Sequence, residues 1–438
     1  MFSFSRRWPL SSPALITILT VFQASVMMAQ FAVPELDSPV AVSQNPVLIS
    51  QLATGNAPAP DSVPKKSERL AISSPGPWGQ ISSYPIFLEA PSFLIDRFPL
   101  PNSRSRWAFP TSRVEELEDL FKVAELDPAL RQALLTPTAM VTEGEWTYLF
   151  PPLPMLEAMT SLQREIVYAE LRKYQVNEYH FEPVLITSGD ADEWFHSSQL
   201  RPELIAKIKG FVYRRGDALA ISDLPALMNY VNGEAEGREM LKAFTRTRSL
   251  IARLIVNEKS DISAIINYWT TGLNLRRKDV EPLLQSVLNT EGIDSIDVVH
   301  MLPALPRKLL LTYPDMGLAK DGIFPDCHWT SLNFFNYNPQ GYLLDSRLAT
   351  TAVLERFNAV EPPYKFGDIL FFLDSKNGDA FHSCVYVADD IVFTKNGRNV
   401  LSPWILSRLD DVKKVYLFDN NGRVQGFRNK QAPTLPSN

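Results

Sequence analysis

The run "KFGDILFFLDSKNGDAFHSCVYVADDIVFTKNG", residues 365–397, constrains this chain more than any other stretch. β-Branched and aromatic residues crowd "DILFFLD", "HSCVYVA" and "IVFT", and Gly, Asn and Asp punctuate them, which is the composition of strands. Asp389 and Asp390, between "SCVYVA" and "IVFT", supply hairpin chemistry. An antiparallel sheet is therefore expected near the C-terminal end. Ahead of it stands "FPDCHWTSLNFFNYNP" (324–339), where Trp329, Leu332 and Phe335 recur at helical spacing and Asp326 sits where a cap would. Residues 315–420 read as a small α+β domain, helix first and then sheet, and residues 421–438 as a tail.

Upstream, residues 112–314 change to helical periods separated by Pro and Gly. "SRVEELEDLFKVAEL", "DLPALMNYVNG", "GREMLKAFTRTRSLIARLIVN", "DISAIINYWTTG" and "DVEPLLQSVLNTEG" each carry an apolar stripe, several with Asp before the run and Gly after it. A mostly helical domain over 76–314 is expected, beginning with a proline-rich extended segment ("YPIFLEAPSFLIDRFPLP") that lies against the folded body. Residues 30–75 are rich in Pro, Ser, Ala and Val without sustained periodicity and read as a linker.

Residues 1–29 carry Arg6 and Arg7, an apolar run over 14–28 and the small Ala29. That order predicts a signal peptide cleaved after Ala24 or Ala29, with an uncleaved anchor as the alternative because Phe22 and Met27 stand three positions from the cuts, and hence an extracytoplasmic protein, periplasmic or secreted. No other apolar run is long enough to span a bilayer, so no membrane span is expected in the mature chain. The formal net charge of −6 is spread over interspersed signs. Without a basic stripe that tracks phosphates, nucleic acid is not an expected partner.

The chain has two cysteines, Cys327 and Cys384. One reading of that pair in an oxidising compartment is a disulfide. The other starts from Cys327 in the first turn of its helix, where the macrodipole and free N–H groups favour the thiolate. Asp326 opposes this by like charge, so a nearby imidazolium is needed. His328 is next in sequence, but adjacent helical residues point about 100° apart. His382, which opens a strand, is the better general base. Glu178, His180 and Glu182 in "NEYHFEP" would share one face of an extended segment, with Asp190, Asp192 and His196 nearby. Their spacing matches no recognised ligand set, and solvated polar faces explain them; no metal or organic cofactor is expected.

With Cys327 and His382 in place, the order of parts resembles the NlpC-type branch of the papain-like superfamily, cell-wall-directed cysteine peptidases and amidases. The pieces that carry the resemblance are "DC" opening a helix, "GDILFF" (367–372) and the His-led strand "HSCVYVADDIVF" (382–393) running into a hairpin. The family pattern has Asp-Cys-Ser-Gly, Gly-Asp-Leu-Val-Phe-Phe and His-Val-Gly-Ile-Tyr. The resemblance spans about residues 315–416 and leaves the rest of the chain unexplained. It implies Cys327 as nucleophile, His382 as base, and a third residue on the second hairpin strand that holds the imidazole in the right tautomer. Counting along the hairpin points to Thr394; chemistry favours Asn396, whose amide is the better orienting group, and Asn396 is the expected one. The Cys327 backbone N–H would contribute to an oxyanion hole. Two positions depart from the family pattern: Trp329 and Cys384 stand where glycine is usual. Cys384 would share a strand face with His382, turned toward the helix of Cys327.

These readings imply an exported cysteine-dependent hydrolase of amide bonds, directed at a cell-wall peptide (peptidoglycan) and needing no cofactor. A lipid- or acyl-directed thiol hydrolase is the alternative within the same chemistry. A non-catalytic envelope binding or scaffold protein is the alternative outside it.

Overall fold

The computed structural model describes residues 70–431 apart from 271–272, 274, 316–322 and 420. The expected signal peptide and nearly all of the 30–75 linker lie outside the described residues. Helices and antiparallel sheets are interleaved from end to end, and their apolar faces gather into two large hydrophobic cores.

The first core, within residues 107–244, is centred on Trp107, Phe121, Tyr168 and Phe211. Two three-stranded sheets flank it: β3 (Trp107–Pro110), β4 (Met140–Glu143) and β5 (Trp146–Leu149), then β6 (Val184–Ile186), β7 (Tyr213–Arg215) and β8 (Ala218–Ile221). Helices Ser161–Leu171, Pro202–Gly210 and Gly233–Phe244 complete the layer. At its centre Arg164 pairs with Asp223 at 3.3 Å, and the Tyr168 hydroxyl donates to Asp223 at 2.7 Å.

The second core joins segments far apart in sequence. A sheet ordered β1 (Ala71–Ile72), β2 (Gln80–Leu88), β9 (Thr247–Ile255), β10 (Ser295–Asp297) packs with helices Ile262–Trp269 and Arg277–Leu288. Leu254, Trp269 and Leu284 from this part are continuous with Trp329, Phe371 and Trp404 from the C-terminal region. The domain boundary expected near residue 314 therefore falls inside a packed core. Ser249 donates to the Leu406 carbonyl at 3.3 Å and Leu311 N–H to the Trp404 carbonyl at 2.8 Å, tying the two sides together.

The helical expectation for 76–314 holds for "SRVEELEDLFKVAEL", "DLPALMNYVNG", "DISAIINYWTTG" and "DVEPLLQSVLNTEG" and is corrected in two other places. "GREMLKAFTRTRSLIARLIVN" is helical only through Phe244; β9 follows, with Leu250, Ala252 and Leu254 buried and Arg253 exposed between the last two. That period of two is a strand's, and nine registered pairs with β2 outweigh local helix propensity. "NEYHFEP" is corrected in the other direction: Glu178–Phe181 is a helical turn, and His180 is buried against the Tyr168 ring at 4.6 Å. Burial pulls the His180 pKa down to about 3, so its imidazole stays neutral. Among the described residues no group of three or more His, Cys, Asp or Glu could hold a metal ion, and no helix is long and apolar enough to cross a membrane.

The C-terminal sheet has six antiparallel strands: β11 (Phe357–Val360), β12 (Ile369–Asp374), β13 (Ala380–Ala388), β14 (Ile391–Lys395), β15 (Trp404–Arg408) and β16 (Gly422–Asn429), in the order β11-β16-β12-β13-β14-β15. The β13–β14 hairpin turns at Asp389–Asp390, with Asp389 in the left-handed region at φ 56°. Residues read as a tail supply β16, which lies inside the sheet between β11 and β12. Arg428 on this strand forms a two-pronged ion pair with Asp368 at 2.8 and 2.6 Å, a long-range partner that no local pattern announces.

Candidate active site

Cys327 is the first residue of the Cys327–Leu332 helix, and Asp326 caps it by accepting the Trp329 N–H at 2.8 Å. The same carboxylate receives Arg398 Nε at 3.2 Å from the loop after β14. A guanidinium thus offsets the like charge that would oppose a thiolate beside Asp326. Trp329 is enclosed in the second core and does not fill a cleft.

Ser383 of β13 fastens this helix to the sheet. Its hydroxyl lies 3.1 Å from the Cys327 carbonyl oxygen, 3.0 Å from Ser331 Oγ and 3.0 Å from His328 Nδ1. His328 also bonds the Ala380 backbone and stacks on Phe371 at 5.7 Å, and burial lowers its pKa. Its imidazole is committed to packing.

His382, Cys384 and Tyr386 do share one face of β13, yet it is the face opposite Ser383. Cys384 and Tyr386 pack with Leu370, Phe372, Val392 and Val412, beneath the helix Leu409–Tyr416. The expectation that this face meets the Cys327 helix is corrected. That helix needs the side where Trp329 joins Phe371, Val385 and Phe393 in the main core, and strand alternation sends His382 the other way.

The His382 ring is fully buried, stacked on the half-buried Tyr416 with centroids 3.8 Å apart and edge-on to Phe372 at 5.4 Å. Its Nε2 lies 3.2 Å from Thr394 Oγ1, and its Nδ1 is buried without a hydrogen-bond partner. The expected orienting residue, Asn396, does not take that place. Asn396 lies past the end of β14, where the chain turns at Gly397 with φ 69°, and its buried Oδ1 has no partner. Thr394 shares the His382 face because it is two residues from Val392 along the strand.

β13 and β14 are in register at Val385–Phe393 and Tyr386–Val392, and that ladder does not continue to Cys384 and Thr394. Where the strands part, Cys327 acts electrostatically on groups from both faces. Burial, then Cys327, pushes the Cys384 thiol well up; burial, then Cys327, Glu182 and Cys384, raises the Tyr416 phenol. Lys395, fully buried, is brought down to about 7 by burial, against the upward pull of Asp326 and Cys327. Sequence reasoning missed Lys395, Tyr416 and Ser383. Tyr416 had no motif to flag it, and Lys395 resembled an ordinary strand-end lysine.

Both thiols are free, and Cys327 is 4% exposed. A cleft of about 1090 Å³ opens elsewhere, lined by Asp190, Glu193, Arg248, Asp390, Arg408 and Asp411, and neither Cys327 nor His382 lines it. The influence of Cys327 on the Cys384 thiol sets an expected result for oxidation. Mild peroxide should link Cys327 to Cys384 in the wild type, and Cys384→Ala should retain thiol reactivity after the same treatment. Peptide mass mapping without reductant reads the bond; equal inactivation of both proteins with no linked peptide would refute it. Compared with known protein families, curated proteins and solved structures, the chain matches none.

Proposed function

We propose that this chain is a cysteine-dependent hydrolase of amide bonds, with Cys327 as nucleophile and His382 as general base. The observation that carries the reading is the tautomer the hydrogen bonds select at His382. Thr394 has a single hydroxyl proton, and its oxygen lies 3.3 Å from the Ser383 carbonyl, which can only accept. Thr394 Oγ1 therefore accepts from His382 Nε2–H at 3.2 Å. Nδ1 is left with the lone pair a base needs, and the Tyr416 ring fixes the plane of the imidazole. A buried ring nitrogen without a bond costs roughly 1–3 kcal/mol, a cost that folds tolerate where the atom has chemistry to do.

In the proposed cycle the Tyr416 ring moves aside, and His382 Nδ1, from the opposite face of β13, then takes the thiol proton. The Cys327 sulfur attacks the amide carbonyl, and the same proton passes to the leaving amine as the C–N bond breaks. Water then adds to the thioester, giving the carboxylic acid and restoring the thiol. The export signal expected from residues 1–29 and the resemblance at residues 315–416 support a cell-wall peptide as substrate. Lipid and other acyl groups undergo the same acyl transfer. Because Cys327 is nearly enclosed and Tyr416 covers the imidazole, turnover requires the Tyr416 ring to move aside. That closure favours a second reading, an envelope scaffold whose papain-like region is non-catalytic.

Purified protein incubated with peptidoglycan stem peptides, and separately with acyl esters, tests these readings. Release of an amine or alcohol that stops when Cys327 is alkylated supports the hydrolase. No release together with an unreactive Cys327 leaves the scaffold. Within the hydrolase, Thr394→Val should lower kcat about tenfold to a hundredfold by freeing the wrong tautomer, with Asn396→Ala within about twofold of wild type. The reverse order would reassign the orienting residue to Asn396.

A further inference from the structure

β15 is an edge of the six-stranded sheet, and β16 lies beyond β14, β13 and β12 from it. The chain between them must cross one face of the sheet, and the packing of Val412 with Leu370, Cys384 and Val392 puts that crossing on the His382 face. The helix Leu409–Tyr416 makes the crossing, and its last residue lays a ring on the imidazole with centroids 3.8 Å apart. Val412 is the one apolar residue of this helix that is buried. The helix is otherwise held by charge. Asp411 accepts from Arg248 of β9 at 2.8 Å and pairs with Lys414 at 3.3 Å, and Lys414 Nζ also donates to the Thr187 carbonyl oxygen at 3.2 Å. Just past the helix, the guanidinium groups of Arg215 and Arg172 lie 4.0 and 4.6 Å from the centre of the Phe418 ring. Residues from outside the sheet therefore hold down the element that covers His382.

We propose that the helix Leu409–Tyr416 is an autoinhibitory strap: the ion pairs of Asp411 with Arg248 and Lys414 latch it to the body of the protein, and while it is latched Tyr416 closes off His382. This rests on His382 being the base and names what must release before turnover. A short helix that buries a single apolar side chain opens locally while the large cores stay folded. The latch meets water. Arg248, Asp411 and Lys414 line the cleft of about 1090 Å³, whereas His382 is fully buried. An ion pair at the wall of a cleft contributes far less than one sealed in a core, so it releases without unfolding the protein. Once the strap lifts, the His382 ring and its unpartnered Nδ1 face solvent.

Carbethoxylation by diethyl pyrocarbonate, read by peptide mass mapping, tests the strap, because the other histidines act as controls. His300 is exposed and should react at once, while His180 and His328 are buried elsewhere and report any general loosening. In the wild type His382 should be protected as those two are. Asp411→Asn removes the charge at nearly constant shape and leaves Arg248 with Glu193 at 3.7 Å. Lys414→Met, at a more exposed position, carries the test if that variant does not fold. In either variant His382 should react about tenfold faster, with His180 and His328 unchanged. The strap is overturned if His382 reacts as fast as His300 in the wild type, stays protected in the folded variants, or is exposed only together with His180 and His328. Faster hydrolysis of acyl substrates by the variants would join the strap to the activity. Selective exposure of His382 with no hydrolysis by any of the proteins keeps the strap as a cover and removes the hydrolase.

Discussion

Cys327→Ala is expected to abolish hydrolysis, lowering kcat/KM by about 10⁴-fold or more, with little change in thermal stability. Loss of the sulfur removes the nucleophile of the proposed mechanism, and alanine fits the same first turn behind the Asp326 cap. His382→Ala should fall almost as far, because the thiol then has no acceptor for its proton and the leaving amine no donor. His328→Ala should separate from both. Its ring braces Ser383 and Phe371 at 3.0 and 5.7 Å, so the variant should melt earlier while the folded fraction keeps its chemistry. Steady-state kinetics beside calorimetry distinguishes the outcomes. Equal losses in His328→Ala and His382→Ala at unchanged stability would reassign the base.

The largest expected effect on stability lies away from the thiol. Asp223→Ala should destabilise the fold by about 3–5 kcal/mol, because it strands the Arg164 guanidinium in the first core. Arg164 and Asp223 are 1% and 2% exposed, and Tyr168 loses its acceptor in the same change. Burial, opposed by Arg164 and Tyr168, raises Asp223 to about 6. That is above the value of about 3.9 in an unfolded chain. Between these values the folded protein binds more protons than the unfolded one. The Asp223 contribution to stability is therefore greatest below about pH 4 and declines as pH rises through about 6. Urea unfolding at several pH values should show that slope in the wild type and its loss in Asp223→Ala. A change below about 0.5 kcal/mol in Asp223→Ala would mean that Arg164 finds other partners or water.

What could be read without coordinates was local. The Asp389–Asp390 turn, the alternation of β13 and β14, the Asp326 cap and the helices with Asp before and Gly after are each written within a few residues, because backbone preference and side-chain period act at that range. The thiol at a helix start and a histidine in a strand were legible for the same reason. Reading failed where a distant partner decided. β9 became a strand because β2 pairs along its whole length, and residues 422–429 became β16 because β11, β12 and the Asp368 carboxylate receive them.

The site divides along the same line. The sequence by itself named the side chains proposed to act, Cys327 and His382, and determined that each begins or lies within a regular element. Only the tertiary structure decided that Ser383 meets the Cys327 helix, that Thr394 reaches the imidazole, that Tyr416 covers it and that Lys395 is fully buried. Each of those four outcomes depends on which face of a strand is offered to which helix. Burial of apolar surface across the whole core makes that choice, and alternation then carries the polar residues along with it.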